Sequence, residues 1–461
     1  MAASNSDAFV FFGATGDLAH KKIFPALQAL IRRGELDMPI IGMARAGWTL
    51  DALRDRARNS LEQHGGMDGD AFARLSAQLQ YVGGDYEDPA TYECLKQALG
   101  GATRPLHYLA IPPSLFGTVV QGLSASGCAT DARVIVEKPF GRDLASAQAL
   151  NRTLHAVFDE SEVFRIDHYL GKEAVQNLVY FRFANVFLDP IWNRNYVDNV
   201  QVTLAERFGV EGRGAFYEEV GAIRDVVQNH LFEVIALLAM DAPVGRDTDS
   251  MRAEKLRLFR AMRPVDPAQV VRGQFRGYRN ERGVAPDSQV ETFAALCLYI
   301  DTWRWAGVPF YVRAGKHLPV TACEVVVDLK VPPLAIFDEV LSSTSNYFRF
   351  RLSPDVTISV GTRVKKAGDR MCGEPVELVA RHQPPSEHLP YERLLRAALC
   401  GDTSLFTSDK SVEAAWRVIE PVLAGAGPVH EYERDSWGPQ AAAGLVNSDE
   451  GWHDPKPEDV D

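Results

Sequence analysis

The chain has 461 residues, a formal net charge of −12 and 46% hydrophobic residues, a composition typical of a folded protein with two or three domains. The acidic balance argues against nucleic acid as a partner, because phosphate backbones attract concentrated lysine and arginine. The sequence has no apolar run near the roughly 20 residues of a membrane span, and it lacks the basic start of a secretory signal. The six cysteines include no C-x-x-C pair. We therefore expect reduced thiols, no metal site, no membrane partner and a cytoplasmic location.

Short apolar runs alternate with stretches of helical period up to about residue 170. The apolar runs are AFVFFG, MPIIGMA, LQYVGGD, LHYLAIP and ARVIVEKP. Buried strands separated by helices predict βαβ units, and hence a parallel sheet covered on both faces. We predict an α/β Rossmann-type dinucleotide domain over residues 1–172, with ligand-binding residues just after the strands.

The pattern changes after about residue 195. One long helical stretch, GAFYEEVGAIRDVVQNHLFEVIALLAM, precedes a series of strand candidates without helices between them. These candidates are VVRGQFRGY, VETFAALCLYI, VPFYVRAG, ACEVVVDLK, NYFRFRL and DVTISVGT. Helical patterns at YERLLRAALCG and SVEAAWRVIEPVLAG follow. We predict a larger α+β domain with a mainly antiparallel sheet over residues 173–461, which would serve substrate binding and oligomerisation.

A glycine turn joins the first predicted strand to a helix in FVFFGATGDLAHKKIFPAL, with Gly13 and Gly16 in the turn. The free N–H groups of a helix N-terminus suit a pyrophosphate, and glycine lets the backbone approach it closely. The pattern is G-x-x-G rather than G-x-G-x-x-G, and a tight turn alone would also require glycine. Because the turn follows the first strand of an alternating α/β pattern, we favour dinucleotide binding.

The residues after the second predicted strand indicate which dinucleotide binds. An NAD enzyme usually carries an acid here for the ribose 2′-hydroxyl. This chain has Arg45 in that region and no acid before Asp51. Arginine pairs with a 2′-phosphate, which a carboxylate would repel, so the pattern favours NADP.

Two polar clusters interrupt otherwise apolar patterns. RIDHYLGKE follows a strand and includes Asp167, whereas RDVVQNH lies in the long helical stretch and includes Asp225 and His230. In an α-helix, residues five apart lie on adjoining rather than identical faces. A lone histidine on an apolar helix is more often a core residue, but the neighbouring Asn229 adds polarity that a core would not tolerate without partners. A carboxylate such as Asp167 could fix the tautomer of a general-base imidazole and stabilise its charged form.

Several stretches throughout the chain are characteristic in combination. They are GATGDLAHKKIFPAL, GDYEDP, VEKPFGRD, RIDHYLGKE, AERFGVEGRGAFYEEVGAIRDVVQNH, VRAGKHLP, LCGDTSLF, AAWRVIEPVL and DSWGPQAA. Together these stretches resemble the glucose-6-phosphate dehydrogenase family. They occur in the family's order and cover nearly the whole chain, and RIDHYLGKE with a later RDVVQNH is specific. The resemblance implies oxidation of β-D-glucose 6-phosphate at C1 to 6-phosphoglucono-1,5-lactone, with hydride transfer to NADP, in a homodimer or homotetramer.

The resemblance also implies roles for individual residues. His230 would be the general base that removes the C1 hydroxyl proton, and Asp167 would orient it. Lys138 would bridge cofactor and substrate, with Pro139 holding its turn. The other substrate contacts would be His168, Tyr169, Lys172, Glu206, Asp225 and Lys316. The cofactor would lie on Gly13, Thr15, Gly16, Asp17, Leu18, Arg45, Asp85 and Tyr86.

Two alternatives share part of this evidence. Gfo/Idh/MocA sugar dehydrogenases resemble the chain at VEKPF and carry a histidine on a later helix, but their sugars and inositols are unphosphorylated and need no phosphate clamp at RIDHYLGK. A catalytically inactive NADP-binding relative would lack the base or its orienting acid, and this chain retains His230 and Asp167. The chain departs from the family pattern at His20, where lysine is usual, and at Thr321, where a second cation is frequent.

Overall fold

The computed structural model describes residues 5–334, 336–337, 346–368, 370–381, 389–425, 427–447 and 451–457. The chain forms two compact units. The first unit comprises Met1–Glu173, Val244–Arg252 and Glu387–Glu413, and the second comprises Ala174–Pro243, Ala253–Ser386 and Ala414–Asp461. No described helix has the length and apolar character that a bilayer crossing requires.

The strands and helices of the described residues follow in chain order. The strands are β1 (Ala8–Phe12), β2 (Ile40–Ala44), β3 (Leu79–Gly83), β4 (Pro105–Leu109), β5 (Arg133–Glu137), β6 (Val163–Ile166), β7 (Val197–Ala205), β8 (Val270–Phe275), β9 (Phe293–Leu298), β10 (Phe310–Gly315), β11 (Ala322–Leu329), β12 (Tyr347–Ser353), β13 (Thr357–Lys365), β14 (Gly373–Arg381) and β15 (Val429–Tyr432). The α-helices are α1 (Phe24–Arg32), α2 (Leu50–Gln63), α3 (Gly69–Gln78), α4 (Pro89–Leu99), α5 (Phe116–Ser126), α6 (Leu144–His155), α7 (Glu173–Ala184), α8 (Gly214–Ala222), α9 (Phe232–Ala239), α10 (Thr248–Ala261), α11 (Pro390–Cys400) and α12 (Asp409–Ala424). Two π-helical segments, Ala19–Ile23 and Ile223–Leu231, precede α1 and α9.

The first unit is built on a six-stranded sheet with the strand order β3-β2-β1-β4-β5-β6. All neighbouring strands are parallel, which confirms the predicted α/β dinucleotide fold. Every residue of β1, β2 and β4 is buried, because helices cover both faces of such a sheet. The strand order reverses between β1 and β4, and ligands of this fold bind beyond the carboxyl ends of the strands at that point.

The second unit contains a nine-stranded sheet with the order β14-β13-β12-β11-β7-β10-β9-β8-β15. Most neighbours are antiparallel, which confirms the predicted class of this sheet. Two pairs are parallel, β7 with β10 and β15 with β8. The β7–β10 register pairs Ala205 with Gly315, so the residues that follow these two strands emerge side by side.

The long helical stretch predicted around GAFYEEVGAIRDVVQNHLFEVIALLAM is interrupted in the structure. Gly221, near the end of α8, has φ 63° and ψ 175°. A Cβ at Gly221 would lie 2.5 Å from Glu291 Oε1, and this same carboxylate oxygen accepts a hydrogen bond from Ile223 N at 3.1 Å. The π-helical segment begins directly after this kink. The prediction of one continuous helix was therefore wrong, because a buried carboxylate from outside the helix caps it partway.

Candidate functional site

The glycine turn after β1 is shaped by close packing at Gly13. Its φ is 80°, and a Cβ at this position would lie 2.2 Å from the carbonyl oxygen of Ala110. The Gly13 N–H donates to Met43 O at 2.9 Å and to the Tyr86 hydroxyl at 3.0 Å. Gly16 N–H then donates to Gly13 O at 2.9 Å. Both the left-handed backbone and the lack of space require glycine at position 13.

The other predicted cofactor residues lie around this turn. Tyr86 accepts from Gly13 N–H and donates to Met43 O at 3.2 Å, so its hydroxyl ties the ends of β1 and β2 together. Arg45 is exposed just after β2, and its carbonyl oxygen accepts a hydrogen bond from the Tyr81 hydroxyl at 2.7 Å. The remaining members are solvent-accessible to different degrees: Thr15, Gly16 and Leu18 are half-buried, and Asp17 and Asp85 are exposed.

A cavity of about 520 Å³ lies in the first unit beside the π-helical segment Ala19–Ile23. We call it the basic cavity, because every ionisable side chain that the described residues contribute to its wall, other than the Tyr391 phenol, is a base. Its polar lining comes from Lys21, Lys22, His64, His168, Lys172 and Tyr391. Leu18 and a few apolar or glycine residues complete the wall. The structure thus brings His168 and Lys172 together, and it adds Lys21, Lys22 and Tyr391, which the sequence analysis did not single out.

The RIDHYLGKE turn directs polar side chains into this cavity. Asp167 directly follows β6 and is 1% exposed, and its Oδ1 accepts a hydrogen bond from Tyr169 N at 2.9 Å. The Lys172 ammonium lies 3.7 Å from the centre of the Tyr169 ring, a cation–π contact that holds the lysine in place. A Cβ on Gly171 would lie 2.7 Å from Pro390 O. Glycine here lets α11 approach the turn and bring Tyr391 to the cavity.

A half-buried glutamate at the end of β5 connects to this turn. Glu137 pairs with Ile166 in the sheet register, next to Asp167, and accepts hydrogen bonds from the Tyr108 and Tyr391 hydroxyls. Burial raises the pKa of Glu137 to about 7, since desolvation disfavours its charged form. Lys138, the predicted bridge between cofactor and substrate, follows directly and is half-buried. The sequence analysis did not identify Glu137, although an acid ending an apolar strand was a visible signal.

In the second unit, the parallel pair β7–β10 brings two predicted substrate residues together. Glu206 follows β7 and Lys316 follows β10, and the Lys316 Nζ lies 2.5 Å from Glu206 Oε2. Lys316 is buried, and its ammonium also lies 4.8 Å from the centre of the Phe208 ring. Thr321 precedes the neighbouring strand β11 and is exposed, with its hydroxyl accepting a hydrogen bond from Arg207 N at 3.0 Å. Thr321 therefore participates in holding the chain after β7.

The π-helical segment Ile223–Leu231 carries Asp225 and His230 and packs against β7 and β10. A π-helix joins residues i and i+5, so groups five apart come nearly into line. The sequence analysis assumed α-helical geometry, which places these two residues on adjoining faces. The wider winding of the π-helix brings them closer to one face. His230 is 3% exposed. The Asn229 amide oxygen accepts a hydrogen bond from His230 N at 2.6 Å, while its Nδ2 donates to Arg224 O at 2.8 Å.

Tyr217 on α8 is a further buried polar residue of this region. Its pKa is raised well above the usual range, first by burial and then by the charges of Asp225 and Glu206. Lys316 Nζ lies 5.5 Å from the centre of its ring. Tyr217 therefore lies among the predicted substrate residues of the second unit. The helical pattern gave no signal that separated it from a core aromatic.

Comparison with known proteins identifies the family. The family model "Glucose-6-phosphate dehydrogenase, NAD binding domain" matches residues 10–177, and "Glucose-6-phosphate dehydrogenase, C-terminal domain" matches residues 179–453. The chain belongs to the glucose-6-phosphate dehydrogenase family. The resemblance stated from the sequence is thereby confirmed, and the family's NAD-binding domain coincides with the parallel sheet.

Individual relatives match this chain over almost its whole length. Glucose-6-phosphate 1-dehydrogenase 1 of Mycobacterium tuberculosis is 44% identical over 98% of this chain and 97% of its own. The crystal structure of glucose-6-phosphate 1-dehydrogenase from Mycobacterium avium superposes with a TM-score of 0.92 at 44% identity, covering 99% of this chain and 100% of that one. A glucose-6-phosphate dehydrogenase in complex with glucose 6-phosphate gives a TM-score of 0.89 at 34% identity, with 98% and 100% coverage.

The packing at Gly13 can be separated from its backbone strain. Gly34 has a similar φ of 74° but nothing within 4 Å of the position that a Cβ would take, whereas Gly13 has φ 80° and the contact with Ala110 O. We expect Gly34→Ala to destabilise the protein by about 1–2 kcal/mol from strain alone, and Gly13→Ala by about 1–3 kcal/mol more from the steric clash. Urea unfolding midpoints of both variants measure the difference. Equal shifts would show that space around Gly13 is not limiting.

Proposed function

We propose that the protein oxidises β-D-glucose 6-phosphate at C1 to 6-phosphoglucono-1,5-lactone and passes the hydride to NADP. The observation that carries this proposal is family membership over nearly the whole chain, shared with relatives that bear this activity in their names. The basic cavity supports it, because Lys21, Lys22 and Lys172 with His168 offer converging donors for a phosphate. Unphosphorylated sugars, the substrates of the Gfo/Idh/MocA alternative, would offer these cations no phosphate to bind.

The chemistry at C1 requires a base. When the hydride leaves C1, the hydroxyl proton must leave as well, so that the O–H electron pair forms the lactone C=O bond. We assign the base to His230 and its orientation to Asp167. In support, His230 is buried on a π-helical segment in the second unit, and Asp167 is buried after β6 in the first. A buried carboxylate stabilises an imidazolium and fixes its tautomer.

The sugar hydroxyls would be held by Glu206, Asp225 and Lys316. A sugar hydroxyl can donate to a carboxylate and accept from an ammonium, and the Glu206–Lys316 pair offers both. Tyr169 would contribute by supporting Lys172, whose ammonium lies over its ring. Lys138 would lie between the sugar and the dinucleotide, as its place at the carboxyl end of β5 allows.

We assign the dinucleotide to the glycine turn after β1, and its 2′-phosphate to Arg45. The turn lies between β1 and the first helical segment, where backbone N–H groups suit a pyrophosphate, and the exposed guanidinium of Arg45 follows β2. When bound, the nicotinamide supplies the hydride acceptor. Arginine without a neighbouring acid favours NADP over NAD.

The proposal extends to the quaternary state and location implied by the family resemblance. We propose a homodimer or homotetramer that works in the cytoplasm. The cysteine pattern supports a reducing compartment, since the six thiols in the sequence include no close pair.

The direct test of the activity follows the absorbance of NADPH in the purified protein. Glucose 6-phosphate with NADP should give steady turnover, and glucose at the same concentration should give almost none, because it cannot use the cations of the basic cavity. Replacing NADP by NAD at matched concentration measures the cofactor preference. Turnover with glucose equal to that with glucose 6-phosphate would contradict the proposed substrate.

The general base is tested by substitution. His230→Asn should lower kcat by roughly 10²–10⁴-fold with little change in the binding of glucose 6-phosphate, because a base acts mainly in the transition state. Asp167→Asn should also lower kcat, since the amide favours the wrong tautomer. His430→Asn, at an exposed histidine on β15, is the control and should leave kcat unchanged. Near-normal kcat in His230→Asn would remove this residue from the role.

The cofactor assignment is tested at Arg45. Arg45→Ala should raise the KM for NADP by about 10-fold or more, because a charged hydrogen bond contributes roughly 1.5–3 kcal/mol, and it should leave the KM for NAD nearly unchanged. Arg32→Ala, at an exposed arginine ending α1, is the matched control. Equal losses with both dinucleotides would show that Arg45 supports the fold instead of the 2′-phosphate.

A further inference from the structure

His64 contributes an imidazole to the wall of the basic cavity from an element that carries none of the predicted substrate residues. It lies at the C-terminal end of α2, where its backbone N–H donates to Ser60 O at 2.8 Å. Gly65, which follows with φ 112°, also lines the cavity. The last turn of α2 therefore holds the half-buried His64 side chain at the cavity wall.

The groups that face His64 are mostly cationic. The ring of His20 packs against that of His64, with its centroid 5.3 Å away at an interplanar angle of 90°. The pKa of His20 is lowered, first by burial and then by the charges of Arg56 and His64, while Asp17 acts in the opposite direction. Asp17 itself pairs with Lys21 at 3.3 Å. The other ionisable groups that the described part of the chain contributes to the cavity are Lys22, His168, Lys172 and Tyr391.

We propose that His64 is a pH-dependent contact for the phosphate group of the substrate in the basic cavity. The inference rests on the proposed function and adds a residue to it. Imidazole is the side chain whose charge ordinarily changes between pH 5 and 8. A phosphate dianion in the cavity favours the charged form of an imidazole beside it. Anion binding and proton binding at His64 are therefore linked, and each strengthens the other.

Two phosphate groups could use this contact, that of the sugar and that of the dinucleotide. Leu18, one of the predicted cofactor residues, also lines the cavity. We commit to the sugar phosphate, because His168 and Lys172 of the RIDHYLGKE turn line the same cavity as His64. The fixed charges of the lysines hold the phosphate at all pH values near neutrality, and His64 adds to them as the pH falls.

The test measures KM for glucose 6-phosphate at pH 6 and pH 8 with saturating NADP, in the parent protein and in His64→Ala. At pH 6 the variant should have a KM about 3–10-fold higher than the parent, since a partly exposed charged contact is worth less than a buried one. At pH 8 the two KM values should agree within about twofold, with kcat unchanged at both pH values. The ratio between the two proteins cancels the ionisation of the sugar phosphate itself.

A second variant separates charge from structure. His64→Lys carries a fixed charge. The ratio of its KM to that of His64→Ala at pH 8 should therefore be about the same as the ratio of the parent's KM to that of His64→Ala at pH 6. His430→Ala, outside the basic cavity, should follow the parent throughout. A KM ratio between His64→Ala and the parent that is the same at pH 6 and pH 8 would overturn the proposal, as would an unchanged KM at both.

The remaining measurements distinguish the phosphate source and the underlying activity. The KM for NADP with saturating glucose 6-phosphate should be the same in His64→Ala and the parent, and a pH-dependent rise there instead would overturn the assignment to the sugar phosphate. Calorimetric titration with inorganic phosphate should show weaker binding to His64→Ala at pH 6 only. This titration needs no turnover, so it tests His64 even if glucose 6-phosphate proves not to be oxidised.

Discussion

Parallel strands end at a common edge, and this constraint determines where several of the predicted site residues of both units lie. In the first unit all six strands are parallel, so the glycine turn, Arg45, Lys138 and Asp167 all follow strand ends at the same edge. In the second unit the sheet is mainly antiparallel, but β7 and β10 form a parallel pair. That exception places Glu206 and Lys316 side by side, where they form an ion pair.

The two units also differ in the charged groups that they bring together. The first unit concentrates positive charge in the basic cavity, which suits a phosphate. The second unit holds the Glu206–Lys316 ion pair, and the charges of Asp225 and Glu206 both act on the buried Tyr217. Tyrosines accompany both groups. Tyr108 and Tyr391 donate to Glu137 in the first unit, and Tyr217 lies near Asp225 in the second.

Much of this arrangement could be predicted from the sequence. The strand and helix periods gave the α/β unit and the class of the second sheet, because each period reflects which faces of an element are buried. The predicted residues of the RIDHYLGKE turn lie together because they are close in sequence on one short turn. The local hydrophobic pattern could not predict the kink at Gly221, because the carboxylate that packs there belongs to Glu291, which is distant in sequence. The π-helical winding around His230 was missed because a hydrophobic pattern read at 3.6 residues per turn assumes α-helical geometry.

Contacts made by residues far apart in the chain were also beyond sequence reasoning. Tyr391 reaches the basic cavity because α11 packs close to Gly171, and His64 reaches it from the end of α2. Neither residue belongs to a motif that suggests phosphate binding. Lys21 and Lys22 differ, since they lie in GATGDLAHKKIFPAL, directly after the glycine turn. Their position in the motif was a usable signal that the emphasis on glycine obscured.

The central claim is that the hydrogen on C1 of glucose 6-phosphate leaves as hydride to NADP while the chain removes only the hydroxyl proton. Glucose 6-phosphate deuterated at C1, turned over by the parent protein in ordinary water, tests it most directly. The account predicts that the deuterium is found at C4 of the nicotinamide ring of NADPH by nuclear magnetic resonance, with a slower rate than for the unlabelled sugar when hydride transfer limits turnover. NADPH without deuterium, or deuterium released into the water, would contradict it.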